Sequence, residues 1–163
     1  MKRIDASGRT GKRVFAFVSD EDYELACRYS WCVDKDGYAI HYVPWWSADR
    51  KRHQRRLSLH RLIMGLPAAR VDHRDGNRLN CQRWNLRLAT DGQNAWNATT
   101  PKNNSSGFKG VCWDKEVRKW NAYITVAYKH KNLGRFNNPR EAAMAYNVAA
   151  IEYFGEFARL NEL

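Results

Sequence analysis

Asp72-His73, Asp75-Gly76-Asn77, Asn80, Asn85 and Asn94 put one imidazole, two carboxylates and several carboxamides into one short span of the chain. A carboxylate and a carboxamide oxygen are hard ligands. They suit a magnesium-like cation that keeps several waters and takes its remaining ligands from a phosphate. A neutral histidine beside them has an ordinary pKa near neutrality and can take a proton from water. The chemistry this set favours is metal-assisted hydrolysis of a phosphate ester, in which the cation stabilises charge on the phosphate and the leaving oxygen. The alternative is a polar turn that merely joins two strands.

The flanking residues say how such a set would be positioned. Val71 reads as the end of a strand. Asp75-Gly76-Asn77 reads as a turn, because glycine tolerates positive φ and Asp and Asn side chains bond nearby backbone. Asn85-Leu86-Arg87-Leu88-Ala89 reads as a second short strand, and Thr90-Asp91 as the cap of a helix carrying Gln93, Asn94 and Trp96. The order is strand, turn-rich loop, strand, helix.

Asp72-His73-x-Asp75-Gly76-Asn77-x-x-Asn80, then Asn85-Leu86-Arg87, then Asn94, resembles the HNH endonuclease motif, in the phage and homing variant with Asn in place of the final His. The resemblance implies a ββα-metal core with His73 as general base, Asp72 and Asn94 holding one divalent metal (Mg2+, or Mn2+) at the scissile phosphate, and Asn85 orienting the loop and the base. His60, in Leu59-His60-Arg61-Leu62-Ile63-Met64, matches a segment often found just upstream in the family and is read as structural or backbone-contacting rather than catalytic.

The chain has 163 residues and a formal net charge of +11. That length gives one ordinary domain or two small ones, and the charge favours nucleic acid over a membrane as partner. No apolar run is long enough for a transmembrane helix, and the stretch after Met1 lacks the apolar centre of a secretory signal. Cys27, Cys32, Cys81 and Cys112 form no close Cys-x-x-Cys pair, so no structural zinc is expected and free thiols in a reducing cytoplasm are the default.

Residues 1–56 read as a β-rich region. Val14 to Val18 is a strand, Ser19 caps a short helix over Tyr23–Arg28 with acids in its first turn, and Trp31–Val33 with Tyr38–Tyr42 make a hairpin around Gly37. Asp49 to Arg56 is a basic run. It reads as a solvated loop or an arm that orders on DNA, with Arg52, Arg55 and Arg56 contacting phosphates.

Residues 57–98 are assigned to the nuclease domain, 99–106 to a polar linker, and 107–163 to a second domain. There Phe108–Trp113, Trp120–Val126 and Lys131–Phe136 read as three strands. Asn138-Pro139 starts a helix whose alanines let it sit close on the sheet, and Gly155 ends it. Ala122, Ile124 and Val126 share one face. The other face is assigned Lys109, Trp113, Lys115, Arg118, Tyr123, Thr125 and Lys131 or its neighbours; it suits the DNA major groove, or is a solvated face.

Ser106-Gly107-Phe108-Lys109-Gly110-Val111, Trp120-x-Ala122-x-Ile124, Leu133-Gly134-x-Phe136, Glu141-Ala142-Ala143-x-Ala145-Tyr146 and Leu160-Asn161 resemble the Apetala-two, or ethylene-response-factor, DNA-binding domain. The resemblance implies that a three-stranded sheet reads DNA and puts Lys109, Gly110, Trp113, Tyr123, Thr125, His130 and Asn132 at contacting positions. Cys112, Thr125 and Asn132 depart from the plant pattern, so its base-reading code does not transfer.

The sequence therefore predicts an α+β protein: a metal-dependent endonuclease acting on double-stranded DNA in a bacterial host cell, phage- or mobile-element-encoded, monomer or homodimer. The alternatives are a DNA-binding regulator that keeps the nuclease shape and an RNA-binding protein using the exposed aromatics.

Overall fold

The computed structural model describes residues 1–7, 13–100 and 104–163. It divides into two compact units, Met1–Ala89 and Thr90–Leu163.

The first unit runs β1 (Lys2–Ser7), β2 (Arg13–Val18), a 3-10 turn (Asp20–Asp22), α1 (Tyr23–Cys27), β3 (Trp31–Val33), β4 (Ala39–Trp46), β5 (Arg52–Ser58), α2 (Leu59–Ile63), β6 (Arg70–His73), β7 (Asn80–Cys81) and β8 (Leu86–Ala89). Six strands form one sheet in the order β5-β4-β3-β1-β2-β7, and β6 pairs with β8 in a separate two-stranded ladder. β1 alternates, burying Ile4 and Ala6 and exposing their neighbours, the period of a strand with one covered face. Ile4, Ala6, Ala16, Val18, Ala26, Trp31, Ala39, Leu59 and Ile63 build the core, and Val71 and Leu86 add the β6–β8 ladder to it.

Two expectations for this region are corrected. Ser19 makes no capping bond; its Oγ accepts the backbone N–H of Arg83 at 3.0 Å. The neighbouring acid Asp22 is buried and takes a fork of two bonds from Arg83, Nε at 2.9 Å and Nη2 at 2.7 Å. The acids after Ser19 thus tie down a distant loop. The basic run, read as a loop or arm, is largely a strand: β5 pairs with β4 from Ile40↔Ser58 to Trp46↔Arg52. The aromatic and β-branched β4 recruits it as a partner.

The second unit runs α3 (Asp91–Asn97), β9 (Val111–Asp114), β10 (Lys119–Val126), β11 (Lys129–Phe136) and α4 (Pro139–Phe154). The strands form an antiparallel sheet in the order β11-β10-β9. Thr90 and Gln93 close a reciprocal capping box on α3. Asn138 caps α4 by accepting from Arg140 N–H, with Pro139 in the first turn. Ala142, Ala143, Ala149 and Ala150 are buried, so the helix backbone lies close on Val111, Ala122 and Ile124. Gly110 has φ +72°, and a Cβ there would fall inside the Tyr146 ring and against the Tyr123 carbonyl. Of the residues assigned to a linker, 101–103 lie outside the described residues. Asn104 instead organises a turn, its Oδ1 accepting from Ser106 N, Ser106 Oγ and Gly107 N.

Candidate active site

β6 ends in the two residues the sequence singles out. Asp72 faces Arg87 of β8 in the ladder, and His73 faces Leu86. Arg87 donates to Asp72 Oδ2 through Nε at 2.9 Å and Nη2 at 2.8 Å, with both side chains buried. Removing one partner of such a buried pair leaves an uncompensated charge.

Beyond His73 the chain turns on Gly76, whose N–H donates to His73 O at 2.9 Å and whose φ is +75°. Asn85 locks the loop. It is fully buried; its Oδ1 accepts Asp75 N–H at 3.0 Å, and its Nδ2 donates to Asp75 Oδ1 at 2.9 Å and to Asn80 O at 2.7 Å. Asn80 Nδ2 donates to the other Asp75 oxygen at 2.7 Å. Asp75, read from the sequence only as a turn residue, is the hub of this network.

His73 sits among rings. The His60 ring is edge-on at 5.0 Å and Tyr38 lies at 6.0 Å between centroids. Cys81 Sγ is 3.9 Å from His73 Nε2. Burial pushes the His73 pKa down to about 4, against the opposing pull of Asp75 and Asp72. Burial likewise takes His60 to about 3, helped by His73 and by Arg61 and Arg56. Both imidazoles are therefore neutral near pH 7, the form in which His73 can accept a proton. His60 is buried, and its Nδ1 has no hydrogen-bond partner among the described residues.

Asn94 lies half-buried on α3 in the second unit, its backbone N–H bonded to Thr90 O at 3.0 Å. Among the described residues no group of three or more His, Cys, Asp or Glu side chains is placed to hold a metal. An Asp–Asn donor pair is outside that kind of cluster.

The residues assigned to DNA contact divide. Arg52, Arg55 and Arg56 are exposed on β5, with Arg56 paired to Asp34 at 2.7 Å. Lys115 and Arg118 are exposed in the β9–β10 turn, and Tyr123 and Thr125 lie on the sheet face away from α4. Three assignments to that face are corrected. Lys109 Nζ donates to the α3 carbonyls of Trp96 and to Ala98 O, at 2.5 and 2.7 Å; burial, then Arg159, pulls its pKa down to about 8. Trp113 pairs with Trp120 in register and packs edge-on against it on the helix side. Lys131 faces Ile124 and lies 4.3 Å over the Tyr153 ring of α4. Gly110 serves packing, as above. The outward positions are Cys112, Asn121, Tyr123, Thr125, His130, Asn132 and Arg135. His130 Nδ1 and Thr125 Oγ1 lie 3.1 Å apart, in hydrogen-bond contact.

Sequence reading also missed Arg87 as the partner of Asp72. Antiparallel pairing of the two strands around the turn was the signal: it sets these two residues opposite each other.

Residues 59–96 match a family model described as HNH endonuclease. Over 160 residues the chain is 34% identical to the uncharacterized HNH endonuclease L560 of Acanthamoeba polyphaga mimivirus, covering 94% of this chain and 78% of that protein. It is 42% identical over 89 residues to Protein 3.8 of Escherichia phage T7, covering 55% of this chain and 73% of that protein. With Asp72 and His73 at the end of β6, Asn85 bracing the turn after them, and a relative alike over 94% of this chain, the chain belongs to the HNH endonuclease family and is a nuclease.

Proposed function

We propose that the protein is a divalent-metal-dependent DNA endonuclease in which His73 is the general base. The observation that carries this reading is a buried, neutral His73 next to the ion-paired Asp72, on a loop locked by Asn85, Asp75 and Asn80.

His73 takes the proton of the attacking water. The histidine stays uncharged until that step because the ring is buried, and Asp72 and Asp75 favour the imidazolium that forms. Asn85 acts at one remove, fixing the turn on which His73 sits. Arg87 balances the Asp72 charge and fixes its side chain.

The resemblance to the HNH motif implies Mg2+ or Mn2+ on Asp72 and Asn94, and a carboxylate and a carboxamide oxygen are the hard donors such an ion would take. Such an ion supplies charge stabilisation at the phosphate and the leaving oxygen.

The second unit, a three-stranded sheet on one helix, supports an Apetala-two-type role in binding and positioning duplex DNA through Tyr123, Thr125, His130 and Asn132 of its outward face. One nuclease motif per chain implies a nick from a monomer and a double-strand break from a dimer. The mimivirus and phage relatives support action inside an infected cell. No helix among the described residues is long and apolar enough to cross a membrane.

Plasmid nicking tests the reading. Supercoiled DNA should relax with magnesium, stay intact with a chelator, and stay intact with Asp72→Ala. Binding without cleavage in every metal tried would favour the regulator that keeps the nuclease fold.

A further inference from the structure

The β4–β5 ribbon does more than close the sheet. β3 pairs only with Ala39 and Ile40 of β4, whereas β5 pairs with β4 as far as Trp46↔Arg52. The outer half is therefore a two-stranded ribbon. It carries Tyr42, Trp45 and Trp46, all exposed, and Arg50, Lys51, Arg52, Arg55 and Arg56 against one acid, Asp49. Aromatics left in water at such a charge density fit a polyanion that also offers apolar contact, as base edges and thymine methyls do.

The register divides the ribbon into two unlike faces. One carries Tyr42 and Trp46 with Arg56, Gln54 and Arg52; the other carries Val43 and Trp45 with Arg55 and His53. On the second face Trp45 is already stacked on His53, at 4.5 Å and 21°, and His53 Nε2 lies 3.1 Å from Ser47 Oγ, in hydrogen-bond contact. On the first face Trp46 is 66% exposed. The first face also leads to the site. Two residues before Ile40 along the same alternation comes Tyr38, whose ring packs on His60 and His73. Arg56 reaches back along this side to Asp34.

Resting on the reading that the substrate is DNA, we propose that the Tyr42–Trp46–Arg52 face of the β4–β5 ribbon lies in the major groove of the duplex beside the scissile phosphate, with the Trp45–Arg55 face turned to solvent. The groove is about 12 Å wide and admits a two-stranded ribbon. Eight residue steps from Tyr38 to Trp46 span about 26 Å, or about eight base pairs at the rise of the duplex. The ribbon grips the flanking DNA and hands the cut position to His73. The Trp45–His53 stack stiffens it from behind.

The test is duplex affinity of the full chain, measured by fluorescence anisotropy in chelator so that no cleavage is needed. The paired variants Trp46→Ala/Arg52→Ala and Val43→Ala/Arg55→Ala all lie at exposed positions. The first pair should weaken binding about tenfold and flatten its salt dependence, through lost apolar contact with base edges in the groove and lost phosphate neutralisation. The second pair should change affinity by less than about twofold. Equal losses from both pairs, or none from the first, would overturn the proposal. So would duplex RNA competing as well as DNA of the same sequence, since the narrow A-form major groove excludes a ribbon. Loss of nicking with this asymmetry intact would count against the nuclease reading alone; symmetric losses with magnesium-dependent nicking intact would count against the ribbon alone.

Discussion

The loop after β6 in the first unit and the sheet-on-helix of the second are organised by opposite means. Asp72–Arg87 is a buried ion pair, buried Asp22 is bound by a half-exposed Arg83 61 residues along the chain, and exposed Asp75 is held by the buried carboxamides of Asn80 and Asn85. The second unit is held by apolar alternation, alanines on one helix and two caps. A nuclease loop must present charge to a phosphate, so its order has to come from satisfied polar groups. On the proposal that the second unit binds DNA, it can leave order to packing and spend its outward face on contact.

That contrast can be broken. The largest effect should come from Asn85→Ala, which leaves Asp75 and the Asn80 carbonyl short of donors inside the protein. It should cost about 4 kcal/mol, with hydrogen-exchange protection lost in residues 1–89 and kept in residues 104–163. Uniform loss of protection would mean that the units unfold as one.

Gly110→Ala is the converse. It forces positive φ on an alanine and drives a methyl into Tyr146, at a cost of about 3 kcal/mol confined to the second unit. A thermal transition unchanged from that of the unaltered chain would contradict the Gly110 packing.

Acid should then separate the two. His60 and His73 have folded pKa values below the unfolded value, so the unfolded chain binds more protons and stability falls as pH drops below about 6.5. At pH 5 each histidine should cost the first unit about 2 kcal/mol. His60→Phe should remove its share of the slope. A pH-independent melting temperature between 7 and 5 would contradict the burial of both rings.

The same contrast explains what was legible in advance. In the second unit, Asn138-Pro139, the alanine spacing and the 120–126 alternation are local signals, and the strands and helix fall close to where those signals put them. Trp113 and Lys131 were assigned to the wrong face because facing depends on register: Trp113 of β9 pairs opposite Trp120, and on β11 the pairing shifts opposite Ala122 and Tyr123. The α3 cap, also in the second unit, was readable too, and in the first unit the β6 end and the Gly76 turn were readable. β5 was not: a run of Arg and His carries no strand signal by itself, and its state is set by β4. Nor was the Ser19–Arg83 bond, since the two residues lie 64 apart in sequence.

The central claim is that His73 moves the proton. The most direct measurement compares His73→Ala with the unaltered chain, in plasmid nicking with magnesium and in duplex binding with a chelator. The account predicts cleavage reduced by about 10²–10⁴-fold with affinity within about twofold. Cleavage at the unaltered rate, with binding intact, would contradict it.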